Sequence, residues 1–402
     1  MPGDDPAVRR GHEGLIERLR WRGDGGALVS AAMDGTARVW PREGGAPVVL
    51  RRHAEGSTVV AELRGDGRLI ATASTDGSAR VWRLGAGDPA PIAALGPPSG
   101  RPGRGPPAAL VDVAWSPGGA RVAVAGEDGA LRLWPVGDEG PSGPLTSLSL
   151  GTGPISHVRW IDDERLLVAD GEAQLLRVEA PAGGEPVASR LAVHGAEIRD
   201  LAVAPGGRRA ASVGVDGRAL VLDLVGEAPP RALEHGGATL WALDFDAAGA
   251  RLVTAVDDGS AWIWELDAAG SEPVVLRGHR EGVLAVDFAP SGDAVVTGGA
   301  DGEARLWRKR QVSEDMSEWT SVRLPHAGTG WPGDRERSVW TVAFSPDGAQ
   351  VATGAADGAL RIFPVEADAL IAEACERVGR DLRDDERARV ELGPTAPRCR
   401  RP

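Results

Sequence analysis

Apolar and polar positions alternate with a period of two over short runs, and Gly, Pro and Asp interrupt those runs at regular intervals. Residues 273–307, PVVLRGHREGVLAVDFAPSGDAVVTGGADGEARLW, show one full cycle. PVVL is a short β-rich run that GH breaks. VLAVDFA alternates as a strand, PSGD is a turn, AVVTGGA is a second strand, DG is a tight turn and ARLW is a third strand. Each cycle therefore predicts four short strands joined by tight turns, an antiparallel meander. No long stretch has the 3.6-residue apolar spacing of a helix until the C-terminal tail.

The cycle repeats. DGTARVW begins at 34, DGSARVW at 76, DGALRLW at 128, DGRALVL at 216, DGSAWIW at 258, DGEARLW at 301 and DGALRIF at 357, with a further Asp-Gly at 170. The basic period is near 42 residues, with longer gaps before 128 and before 357. A sheet of four short strands, apolar on both faces, cannot bury both faces alone. Stacked radially, each sheet covers its neighbours. The 402 residues thus read as one array rather than two or three separate cores.

Four Gly-His or similar His positions precede a Trp at a nearly fixed interval: His12 to Trp40, His53 to Trp82, His235 to Trp264 and His279 to Trp307, each 28 or 29 residues. On these motifs the chain resembles the WD40-repeat β-propeller family over roughly residues 6–365. The resemblance implies an all-β, single eight-bladed propeller, with seven blades as the alternative if the unit around Asp170 is absorbed elsewhere. Repeat cores fall near 12–40, 53–82, 110–134, 154–178, 194–222, 235–264, 279–307 and 338–363. It also implies a structural hydrogen-bond network per blade: His before the first strand, Ser or Thr in the second, Asp in the turn and Trp in the third. That places His12, Ser30, Asp34 and Trp40 together, likewise His53, Thr72, Asp76 and Trp82. His235, Thr254, Asp258 and Trp264 form a third set, and His279, Thr297, Asp301 and Trp307 a fourth. The fifth unit keeps His194, Ser212 and Asp216 but ends in Leu222; the eighth keeps Thr353 and Asp357 but ends in Phe363. A linked set of this kind satisfies the indole, imidazole and carboxylate at once. The third and fourth units lack Gly-His, so packing rather than the network is expected to hold them.

In this family the fourth strand of each blade leads into the next unit, so the last blade needs a strand from elsewhere. PAVRRGH at 6–12 resembles PVVLRRH at 47–53 and PVVLRGH at 273–279. Residues 6–9 are therefore expected to complete the blade that contains ALRIF, removing both free sheet edges. Residues 84–110 read as a Gly/Pro-rich loop around one outer strand, PIAAL, and residues 309–338 as a second insertion. In the latter, Trp331 beside Arg335 and Arg337 has the composition of an interface anchor, against a reading in which Trp331 caps its own blade. Residues 366–402 have apolar positions at helical spacing (370, 371, 374, 375, 378 and 382), with Asp368 and Gly379 as caps. This α-helical tail resembles the end of bacterial WD40 proteins that carry an effector or signalling domain. It either packs on the ring or docks a partner. Cys375, on the apolar face, reads as core, and Cys399 is the only other cysteine.

Charge and composition narrow the function. The net charge of −13 opposes a nucleic-acid backbone as main partner. No apolar run reaches the length of a membrane helix, and the N-terminus lacks a signal-peptide core, so the cytosol is the expected compartment. Two cysteines, both in the tail, exclude a disulfide or Cys-based zinc framework for the repeats. The absence of Asn and Tyr and a single lysine, Lys309, point to a GC-rich, bacterial coding bias. No Walker loop, G-x-S-x-G or H-E-x-x-H occurs, and no acid/base pair stands out among the turn carboxylates. No cofactor or metal is called for; His157, in a strand, has no metal partner at ligand spacing. The expectation is a non-enzymatic scaffold or sensor that recruits one or more proteins in a bacterial regulatory or defence-type complex. A propeller enzyme or small-molecule sensor using the central channel is the alternative.

Overall fold

The computed structural model describes residues 8–366, apart from 52, 55–58, 86–90, 96–107, 152, 227, 269, 314–315 and 326–337, and without the side chains of 310–317 and 325. The tail 366–402, with Cys375 and Cys399, and the candidate contacts Trp331, Arg335 and Arg337 lie essentially outside the described residues.

Eight antiparallel sheets follow one another, and their inner strands pack side by side in a closed ring. Blade 1 runs through Ile16–Trp21, Ala27–Ala32, Thr36–Pro41 and Val48–Arg51 from the inside outward. Blades 2 to 7 repeat this order, with inner strands Val59–Leu63, Leu110–Trp115, Ile155–Trp160, Ile198–Val203, Leu240–Phe245 and Val283–Phe288, and blade 3 adds a two-residue strand, Gly140–Pro141, on its third strand. Blade 8 has Val339–Phe344, Gln350–Ala355 and Leu360–Pro364, and its outer strand is Val8–Arg9 from the other end of the chain. Val8 pairs with Arg361 and Arg9 with Leu360, so the terminal strand closes the ring as the repeat of PAVRRGH predicts.

The buried apolar residues divide into eight clusters, one at each interface between neighbouring blades. The interface that joins the last blade to the first is built like the others: Ile16, Leu19, Trp21 and Trp40 pack on Ala343, Ala352, Leu360 and Ile362. Each fully buried Leu, Ile or Val contributes about 1.5–3 kcal/mol. No blade holds a core of its own, so the stability of each sheet depends on both neighbours.

Two departures from the repeat have local causes. In blades 1–3 and 5–8 the glycine of the Asp-Gly turn has φ between +71° and +83°, which favours glycine. In blade 4 the equivalent left-handed residue is Ala173, φ +62°, the only non-glycine with positive φ among the described residues. Asp170 ends the second strand and caps the turn through Glu172 N (3.0 Å) and Gln174 N (2.8 Å). The Asp-Gly at 170 is therefore not the repeat's turn; Glu172-Ala173 holds that place. The second departure is in blade 7, where the outer hairpin runs Glu303–Ser313 and Met316–Pro325, longer than any other. Residues 309–313 and 316–320, read as part of the insertion, instead extend both strands.

The ring closes through a two-residue ladder. Deletion of residues 1–10 is expected to lower the thermal midpoint of the whole chain in a single shifted transition, of the order of 2 kcal/mol from the exposed edge and loosened interface. An unchanged midpoint would show that closure does not depend on this strand.

Candidate functional site

Inner strands start, and the turns after the second strands lie, at one end of the ring, here the His–Asp face. The predicted networks gather there. In blade 1 Trp40 Nε1 donates to Ser30 Oγ (2.8 Å), Ser30 Oγ meets His12 Nε2 (2.7 Å) and His12 Nδ1 meets Asp34 Oδ2 (2.9 Å). Blade 7 repeats the chain, with Trp307 to Thr297 (2.9 Å), Thr297 to His279 (2.7 Å) and His279 to Asp301 (3.1 Å). Blade 5 has His194 between Ser212 (2.7 Å) and Asp216 (3.1 Å), without an indole. These partners suit a neutral imidazole with its proton on Nδ1. Burial lowers the His12 pKa accordingly. Burial disfavours the charge of Asp34, but the hydrogen bonds from His12 and Thr36 outweigh it and hold the carboxyl well below its usual range.

Blades 2 and 6 differ. His53 Nε2 meets Thr72 Oγ1 (2.8 Å), but its Nδ1 meets Ser78 Oγ (2.9 Å), with Asp76 at 3.5 Å. In blade 6 His235 Nε2 meets Thr254 Oγ1 (2.8 Å) and accepts from Trp264 Nε1 (3.1 Å), while its Nδ1 donates to the Leu233 carbonyl (3.0 Å). Asp258 binds Ser260 instead. The cause is Trp262, which stands where blades 1, 2 and 7 have Arg38, Arg80 and Arg305. Its ring lies 4.9 Å from His235 and stacks on Trp264 at 5.7 Å. The expected His235–Asp258 contact is thus replaced. In blade 8 Thr353 is buried and Asp357 accepts from Ala359 N (2.9 Å).

The channel holds what the repeat pattern does not show. Charged and polar side chains of the inner strands converge on a cavity of about 390 Å³. The third inner-strand residue is Arg18, Asp112, His157 and Asp200 in blades 1, 3, 4 and 5, but Ala242, Ala285 and Thr341 in blades 6 to 8. On the first side, Asp112 accepts from Arg18 Nη1 (2.9 Å) and Arg159 Nη1 (2.5 Å) and from Val158 N (3.0 Å). Burial opposes the charge on Asp112, yet the two guanidinium groups hold its carboxyl well below the usual range.

On the other side, Asp244 and Asp287 occupy the fifth position of adjacent inner strands and hydrogen-bond to each other. Asp244 Oδ2 also accepts from Phe288 N (2.9 Å) and Asp287 Oδ2 from Phe344 N (2.6 Å). Burial is the main cause that raises both carboxyls, Asp287 to about 6, and the charge of Asp287 pushes Asp244 further up. The pair therefore holds a proton to higher pH than isolated carboxyls do. At the mouth, Trp241 and Trp340 meet edge to face at 6.4 Å, and the Arg199 guanidinium covers Trp241 at 4.9 Å. Trp340 Nε1, His157 Nδ1 and Arg199 Nε are buried without a partner. Trp241 and Trp340 are half-buried channel residues. A second cavity, about 580 Å³, opens between blades 1 and 2, and most of the charges there are already paired, as in Arg22–Asp24 at 2.7 Å.

Among the described residues no cluster of His, Cys, Asp and Glu could hold a metal ion. Nor is any helix among them long and apolar enough to cross a membrane.

A ring of eight blades, seven of four strands and one of five, with a His–Ser/Thr–Trp relay in several of them, defines a β-propeller of the repeat type. The "WD domain, G-beta repeat" family profile matches residues 5–41, 48–83, 104–135, 229–265, 270–308 and 329–363, more than half of the chain, and the chain belongs to this WD40 family. The stretches it leaves out include blades 4 and 5, one with the displaced turn and the other without an indole. No curated protein sequence matches the chain. Among solved structures it is similar to Sqt1 from Chaetomium thermophilum, at 16% identity and TM-score 0.73, over 90% of this chain and 99% of that one. Chaetomium thermophilum Sqt1 bound to the N-terminus of the ribosomal protein L10 is similar at 18% identity and TM-score 0.71, over 90% of this chain and 100% of that one. At these identities the likeness is one of fold.

Two outcomes test the site's energetics. Asp301→Ala leaves His279 Nδ1 and Arg280 N without their acceptor and is expected to cost about 1–3 kcal/mol in urea melts; Asp258→Ala, which touches no imidazole, is expected to cost under about 1 kcal/mol. Equal losses would contradict the rearranged blade 6. The carboxyl pair gives a pH signature. Its folded pKa values lie above the unfolded ones, so its contribution is fully present near pH 4 and is lost as pH rises through about 6 and beyond. Asp287→Asn keeps an acceptor for Phe344 N and is expected to raise stability at pH 8, by of the order of 1–3 kcal/mol, relative to its effect at pH 4. A pH-independent difference would count against the shared proton.

Proposed function

We propose that this protein is a non-enzymatic protein-interaction scaffold or sensor whose recognition surface is the channel mouth on the His–Asp face. The observation that carries this reading is the Trp241–Trp340 pair, half-buried and flanked by Arg199, with Trp340 Nε1 left without a partner. Tryptophan and arginine at the centre of a rigid concave surface are the usual composition of a binding anchor. The blades that carry them are cross-braced by eight interfacial cores, which suits a surface presented without induced rearrangement. That a Sqt1 structure contains a ribosomal protein segment supports protein partners for this fold. We assign the partner to a regulatory or defence-type complex of a bacterial cytosol, on the composition bias and the resemblance of the tail.

A second reading has its own observation. The half-open 390 Å³ cavity, with Asp244, Asp287 and His157 in its wall, fits a small-molecule sensor that uses the channel.

Affinity capture from the native source, with the full chain as bait, tests the scaffold reading. A stoichiometric protein partner is expected, and Trp340→Ala or Trp241→Ala should weaken its retention about tenfold or more while the melting curve stays cooperative. Retention unchanged in both variants would move the contact to another surface. No partner across a range of salt and crosslinking conditions would favour the sensor.

A further inference from the structure

The channel is closed on one side and open on the other. In blades 1, 3 and 4 the Arg18–Asp112–Arg159 bridge fills it. In blades 6 to 8 Ala242, Ala285 and Thr341 leave a narrow shaft below the Trp241–Trp340 mouth, and Asp244 and Asp287 form its floor. Second and fifth residues of a strand are separated by about 10 Å along it, so the floor lies about the length of an extended arginine or lysine side chain below the tryptophans. Leu284 and Glu17 complete the mouth between and beside them.

The floor is a carboxyl pair with backbone N–H donors on its outer oxygens and no basic side chain within hydrogen-bond reach among the described residues. His157 Nδ1, buried without a partner in the same cavity, is a further acceptor for a cation when the imidazole carries its proton on Nε2. We propose that the shaft is a binding site for a guanidinium or primary ammonium group on a slender aliphatic stem. The cation replaces the proton that the pair now shares, and the aromatic mouth packs on the stem. Glu17 at the rim, whose carboxyl burial also pushes up, adds attraction for a cation. A free small amine and a basic side chain of a partner protein share this chemistry. The second source rests on the scaffold reading above; the first does not.

Binding exchanges a proton for the ligand, which gives a readout that packing alone does not. The ionisable groups that line the cavity with the pair are Arg18, Arg20, Arg159, Arg199, Asp200, Glu17 and His157. Calorimetric titration of agmatine, and of a short neutral peptide with one central arginine, into the full chain is expected to show saturable binding at pH 7. The apparent enthalpy should depend on the buffer's ionisation enthalpy, with release of up to about one proton per ligand. Affinity should fall from pH 8 to pH 5 as the pair takes up protons. Asp287→Asn should lose about tenfold or more in affinity, and so should Ala242→Leu, which plugs the shaft and leaves both carboxyls in place. The citrulline peptide should not bind. Binding by agmatine but not the peptide marks a free small cation as the ligand; binding by the peptide marks a partner side chain. No saturable binding of either probe, or binding without proton release that survives Ala242→Leu, overturns the proposal. A partner that Ala242→Leu still captures while both probes fail would leave the scaffold reading standing without this site.

Discussion

Every inner strand in the ring has one edge that no further strand covers. Its N–H groups face the channel, and each must find an acceptor or water. Much of the chain's chemistry follows from how that edge is capped. Val158 N, Leu243 N, Phe288 N and Phe344 N each donate to a carboxylate on the preceding blade: Asp112, Asp200, Asp244 and Asp287. Trp21, Trp115 and Trp160 work in the reverse direction, with indole N–H groups that reach the carbonyls of Ala343, Glu62 and Ala114 one blade back. These bonds hold neighbouring blades in register where apolar packing alone has no direction. They also draw carboxylates into the channel, and those carboxylates then need cations, protons or each other.

The two sides of the channel resolve this differently. Asp112 satisfies its charge with Arg18 and Arg159 and becomes a fixed strut, since a carboxylate with two guanidinium groups and two backbone donors has no capacity left. Val60 of blade 2 is small enough for Arg18 to reach past it to blade 3. Asp244 and Asp287 each accept one backbone N–H and feel Arg20 only at a distance, so burial and, at Asp244, the neighbouring acid raise their pKa values.

The fold was legible because it is written eight times. Period, turn residues and strand alternation each recur, and the first strand could be assigned to the last blade by its likeness to PVVLRGH. The blade networks were legible where a single residue did not intervene. Trp262 reads as one more strand aromatic, yet its size turns His235 away from Asp258. The displaced turn of blade 4 was hidden by an accidental Asp-Gly two residues early; only the backbone shows that Ala173 takes the left-handed position. The channel cluster was not legible at all. Its members lie at third and fifth positions of inner strands, one or two per repeat, and in each repeat taken alone they look like tolerated variation. Arg18 and Asp112 are 94 residues apart and belong to blades that are not neighbours in the ring, with blade 2 between them.

Repetition and function therefore occupy different residues of the same strands. Positions that meet the neighbouring blade, such as Leu19, Val113, Val158 and Leu201, are apolar in each unit because every interface has the same geometry. Positions that meet the channel are under no such demand, since the channel wall is shared by eight strands and no two need be alike. Arginine, alanine, aspartate and tryptophan can stand at equivalent places without cost to the sheet. A ring built from near-identical parts thus gains an asymmetric interior, braced on one flank and hollow on the other. That asymmetry is the physical basis on which this propeller, rather than propellers at large, acquires a site of its own.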